Sequence, residues 1–101
     1  MTGIDDERNA AEGAREVLRS LVPSAPHAQM QIDILRKAAT VSTKAQSTFS
    51  SQTALNELRG EAATALNGVS GALATGRPLT YEMISRARNA VEAWLKGLAE
   101  A

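Results

Sequence analysis

Ser47-Thr48-Phe49-Ser50-Ser51-Gln52-Thr53 is the stretch on which the fold turns. Serine and threonine side chains compete for the backbone's own hydrogen bonds, so a run of them weakens a helix interior and suits caps and turns. Read as a turn, with Ser50, Ser51 or Thr53 capping the next helix, it splits the middle of the chain into two helices. Read as continuous, it leaves one helix of about 50 residues, because Ile34, Val41, Thr48, Leu55, Ala62 and Val69 stand seven apart and keep one heptad stripe. At 100° per residue the apolar stripe swings by roughly a third of a turn between the two halves. A hairpin is therefore expected, with the fused helix as the alternative.

Upstream, residues 26–48 read as a helix whose buried stripe is Met30, Ile34, Ala38, Val41, Ala45 and Phe49, with Leu35 beside it and Ile32 at the edge of the polar side. Val22-Pro23-Ser24-Ala25-Pro26 breaks the chain before it. Ser24 is a candidate cap and Pro26 suits a first turn, where its missing N–H costs nothing. Before that break, Ile4, Ala11, Ala14, Leu18 and Leu21 form one stripe of a helix over residues 4–21. Asp5, Asp6 and Glu7 occupy its first turn, where the helix dipole favours acids, and Arg8, Glu12, Arg15 and Arg19 form a solvated, mutually pairing strip.

Downstream, residues 53–75 carry the clearest stripe, Leu55, Leu58, Ala62, Leu66, Val69 and Leu73. Gly76 and Pro78 then read as a stop. Thr80 is a good N-cap for a last helix over residues 80–99, faced by Ile84, Ala87, Val91, Trp94, Leu95 and Leu98. Trp94 reads as core. Four amphipathic helices with short connections predict one all-α domain over residues 1–101, a small antiparallel four-helix bundle.

Composition agrees. Aromatics are confined to Phe49, Tyr81 and Trp94, and alanine, the best helix former, is abundant. The charges balance at 11 basic and 11 acidic, so no overall field draws the chain to nucleic acid or an anionic membrane. Without cysteine, disulfides, thiol chemistry and Cys-ligated zinc are excluded, and a cytoplasmic setting is expected. No signal-peptide pattern is present at the N-terminus and no run is apolar enough to cross a membrane.

Catalytic chemistry is not expected, nor is a cofactor or metal. His27 is the only histidine, so HExxH and paired-histidine metal sites cannot form. It falls at the start of the second helix, where a solvated side chain is the ordinary outcome. Glu57 and Glu61, four apart on the third helix, lie away from its leucine stripe and belong in water. Neither GxGxxG nor GxxxxGK[ST] occurs.

Two surfaces remain as binding candidates. Gly60, Thr64, Gly68, Gly71 and Thr75 fall on one narrow strip of the third helix, opposite its leucines. Three glycines in a helix interior cost about 3 kcal/mol relative to alanine; either the third helix is simply loose, or the strip admits a close neighbour: a partner protein, a second copy of the chain, or helix one. The second surface is basic. Arg36, Lys37 and Lys44 give residues 22–50 a net charge of +2, and on the fourth helix Arg86 and Lys96 share the outer face, with Arg77 in the preceding loop and Arg88 near Tyr81. If helices two and four are neighbours, these merge into a phosphate-contacting patch on which Tyr81 stacks a base. The leading functional expectation is a binding module that docks on a larger protein, a small inhibitor or accessory factor of phage or bacterial type. A nucleic-acid-binding regulator and a self-assembling secretion or virion subunit are the alternatives.

Overall fold

The serine-rich stretch does end a helix. A computed structural model describes residues 4–23 and 27–100. Over them the chain forms α1 (Ile4–Ser20), α2 (Gln29–Thr48), α3 (Thr53–Thr75) and α4 (Tyr81–Glu100). After Thr48 the backbone leaves the helical region at Phe49, with φ −114° and ψ 55°. The fused α2–α3 helix is thereby ruled out. Hydroxyl caps are not what close the turn. α3 opens at Gln52 without a side-chain cap bond. Amide groups tie the turn instead. The Asn56 Nδ2 and Gln52 N–H groups each donate to the Phe49 carbonyl at 2.9 Å, and Gln46 Nε2 donates to the Asn56 carbonyl at 2.9 Å.

The other ends obey local chemistry. Gly76 takes a left-handed conformation with φ 70°, and the Arg77 N–H returns to the Ala72 carbonyl at 3.0 Å, so α3 closes as a Schellman-type end. Thr80 Oγ1 accepts the Met83 N–H at 3.1 Å and opens α4. Ser24 and Pro26, expected to open α2, lie outside the described residues. α2 begins three residues later than expected, after Ala28, whose N–H donates to Gln31 Oε1 at 2.8 Å.

The carbonyls ending α1 are satisfied from another helix. Arg88 Nε donates to the Leu18 carbonyl at 2.7 Å, and Nη2 donates to those of Arg19 and Leu21 at 3.3 and 3.1 Å. A cation at a helix C-terminus is favoured by the dipole as well. Arg88→Ala is expected to lower stability by about 1–3 kcal/mol, read as a shift of the urea midpoint. The exposed Arg86→Ala is expected to shift it negligibly.

The helices pack as a ring in chain order, α1 on α2, α2 on α3, α3 on α4 and α4 on α1, with no close backbone approach across either diagonal. Ala11, Ala14, Leu18, Leu35, Ala38, Ala62, Leu66, Val69, Ile84, Val91 and Trp94 are among the side chains filling the centre. Alanine at so many inward positions lets the helices approach closely, while Trp94 and the leucines supply bulk. α2 keeps part of the expected stripe, with Leu35, Ala38 and Ala45 buried, but its core face is shifted. Met30 is 70% exposed and Ile34 and Val41 are half-buried, whereas Ile32, at 3% exposure, Leu35, Ala39 and Ser42 are inside. The inward arc of α2 holds small residues, Ala38, Ala39, Ser42 and Ala45, which bring it close to α3. Among the described residues no helix is long and apolar enough to cross a membrane.

Candidate functional site

The most concentrated polar chemistry lies inside the bundle, where the hydrophobic pattern alone predicts none. Glu7, in the first turn of α1, and Arg59 on α3 are 1% and 0% exposed. Arg59 Nε and Nη2 donate to Glu7 Oε2 and Oε1 at 2.7 and 2.8 Å, a two-pronged pair. Trp94 Nε1, from α4, donates to Glu7 Oε2 at 2.6 Å. Arg59 Nη1 donates to Gln52 Oε1 and Asn56 Oδ1 at 2.9 and 2.8 Å, and its guanidinium lies 5.1 Å from the centre of the Phe49 ring. The Arg59 carbonyl accepts the Ser42 hydroxyl at 2.5 Å. One salt bridge thus joins α1, α3, α4 and the α2–α3 turn. Its groups are closed to water and already satisfied by one another, which is the arrangement of a structural lock rather than of a site awaiting a ligand.

Neither Glu7 nor Arg59 is among the core residues expected from the sequence; phase is the signal that marks them. Glu7 continues the stripe Ala11, Ala14, Leu18 backwards at the same four- and three-residue steps, and Arg59 stands between Leu55 and Ala62 in theirs. A charge occupying a core position calls for a buried partner.

The basic candidates do not form one patch. α2 and α4 face each other across a diagonal, so Arg36, Lys37 and Lys44 are separated from Arg86 and Lys96. Arg36, Lys37, Lys44 and Arg86 are exposed. Arg88 is engaged with the end of α1 and its guanidinium is not free for phosphate. Arg77 Nε donates to Thr75 Oγ1 at 3.0 Å, and Tyr81 is 71% exposed at the start of α4. His27 precedes α2 and is exposed.

The small-residue strip does not meet α1, which lies across the other diagonal; helix one is therefore ruled out as its neighbour. The strip also divides. A Cβ on Gly71 would sit 3.4 Å from Arg77 Nη2, and the Thr75 hydroxyl turns back to the Gly71 carbonyl at 2.8 Å, so this end is occupied by its own chain. Gly60, Thr64 and Gly68 form the floor of an open groove of about 1470 Å³ along α3. Ala65, Met83, Ala90 and Ala93 supply its apolar flank, and Glu57, Glu61, Glu82 and Arg86 its charges. A Cβ on Gly60 would approach Gln46 Nε2 to 2.9 Å, and that amide is held on the Asn56 carbonyl, so Gly60 too is covered by its own chain, whereas a Cβ on Gly68 would meet nothing within 4 Å among the described residues.

Among the described residues no cluster of three or more histidine, aspartate or glutamate side chains is placed to hold a metal ion. No family model matches the chain, and comparison with curated proteins and with solved structures finds no match to either.

Proposed function

We propose that this protein is a non-enzymatic docking module of the inhibitor or accessory-factor type, acting in the cytoplasm by seating part of a larger protein in the groove along α3. Gly68 carries the reading. It stands in the interior of α3 with no positive φ to require glycine, and among the described residues nothing comes near enough to exclude a side chain. A glycine there costs about 1 kcal/mol relative to alanine. Close approach by a backbone from outside is a physical use for it. The nucleic-acid reading draws less support, because its bases stand on opposite sides of the bundle and Arg88 is committed elsewhere.

The same position supplies the test. Gly68→Ala and Gly68→Arg are both expected to raise unfolding stability by about 0.5–1 kcal/mol, measured by urea denaturation. Gly68→Arg also fills the groove, and quantitative affinity capture with this bait is expected to lose the protein that the wild-type bait enriches. Equal recovery by the two baits would sink the reading, as would wild-type bait that enriches nothing.

A further inference from the structure

The groove's charge is out of step with the rest of the molecule. The chain as a whole is neutral. Yet Glu57, Glu61 and Glu82 line the groove against Arg86 alone. Of the eight acids elsewhere, all among the described residues, five stand beside arginines, Asp5 with Arg8 at 3.7 Å, Glu12 and Glu92 with Arg15 at 3.8 and 3.9 Å, Glu16 with Arg19 at 3.2 Å, and Glu7 with Arg59 at 2.7 Å, while Asp6, Asp33 and Glu100 do not. Among the described residues none of the three groove glutamates makes such a pair, although Glu82 and Arg86 are one turn apart.

Glu57 and Glu61 make the imbalance costly. They stand four apart on α3, where like charges repel and destabilise the helix. Both lie beyond its first three residues, where the dipole would have favoured them most. The chain therefore carries negative charge without a salt bridge along the edge of the same groove that Gly68 leaves open.

Resting on the docking reading above, we infer that the occupant is a cationic amphipathic helix of the partner. Its small or apolar face lies on Thr64 and Gly68 and against Ala90 and Ala93, and its lysines or arginines reach Glu57, Glu61 and Glu82. A groove between two helices is the shape that receives a helix. From Glu57 to Val69 it runs along α3 for about 18 Å at 1.5 Å per residue, about three turns of an occupying helix. Cationic groups over these glutamates relieve a repulsion that no salt bridge among the described residues relieves.

The probes are two fluorescent stapled helical peptides of about 18 residues, identical on their alanine and leucine face, one bearing lysine and the other glutamate on the polar face. The lysine peptide is expected to bind the full chain at least about tenfold more tightly than its twin, with affinity falling as salt is added. Amide shifts are expected at Thr64 and Gly68. Glu57→Lys with Glu61→Lys is expected to invert the preference while leaving the circular dichroism unchanged. Equal binding of the two peptides, a preference untouched by the charge reversal, or shifts confined to another face would overturn the inference. So would a dimer in sedimentation that Gly68→Arg dissolves, which would give the groove to a second copy. The two readings fail separately. If Gly68→Arg abolishes partner capture but the lysine peptide shows no preference, docking stands and the cationic occupant falls. If Gly68→Arg leaves capture intact, docking itself falls.

Discussion

Glu7→Ala is expected to lower the stability of the fold by about 3–5 kcal/mol, a large share of the roughly 5–15 kcal/mol such a domain holds. The substitution removes few atoms. It leaves behind a guanidinium that is 0% exposed and has lost both of its charged acceptors, together with an indole N–H that has lost its only partner. Arg59→Met is expected to be as damaging from the other side, stranding a buried carboxylate. Asp6→Ala removes the same kind of charge one position away, from an exposed site, and is expected to change stability by less than about 0.5 kcal/mol. The paired change Glu7→Leu with Arg59→Met is expected to recover much of the loss, since no charge is then left alone. Urea denaturation monitored by circular dichroism reads all four. A Glu7→Ala midpoint indistinguishable from that of Asp6→Ala would contradict the buried pair.

Trp94→Ala is expected to cost about 3–5 kcal/mol. The indole is the largest fully buried side chain, and few neighbours in an alanine-rich core can move to fill its place. Trp94→Phe separates packing from hydrogen bonding. It keeps most of the ring but takes a donor from Glu7, and is expected to cost about 1–3 kcal/mol. Trp94 is the only tryptophan, so the comparison needs circular dichroism rather than intrinsic fluorescence. Wild-type stability in Trp94→Phe would mean that Glu7 is held by Arg59 without help from α4.

The lock and the groove share an element. Arg59 reaches inward from α3 to hold Glu7, while its neighbour Gly60 faces outward into the groove. A docking face works best on backbone that does not have to be ordered on binding. The salt bridge, the Ser42 hydroxyl on the Arg59 carbonyl and the Gln46 amide on the Asn56 carbonyl fix the first half of α3 in this way.

Most of the helix ends were legible because local chemistry decides them. Gly76 with Pro78 after it, Thr80 before α4, and the serine run before α3 each act within a turn or two of chain. The inward face of α2 was legible only in part, at Leu35, Ala38 and Ala45, because its apolar residues spread over a wide arc. Met30 and Val41 outweigh Ala39 and Ser42 in hydrophobicity, but close packing against α3 favours small residues over greasy ones. Glu7 also suits the helix dipole as a first-turn acid, a local explanation sufficient in itself that hides its place on the core stripe. Its partner stands 52 residues away, a separation that no pattern of three and four reveals. Of the glycine strip, Gly71 and Gly60 proved to be covered by Arg77 and Gln46 and Gly68 open, a distinction set by side chains outside the strip rather than by its own spacing.

A photoreactive residue placed at position 64, in the floor of the groove, tests the docking reading most directly against the same residue at position 40, exposed on α2. Illuminated in the cell that makes the protein, the first is expected to form a discrete adduct with one larger protein and the second none. Adducts at position 40 with position 64 silent, or equal labelling at both, would contradict it.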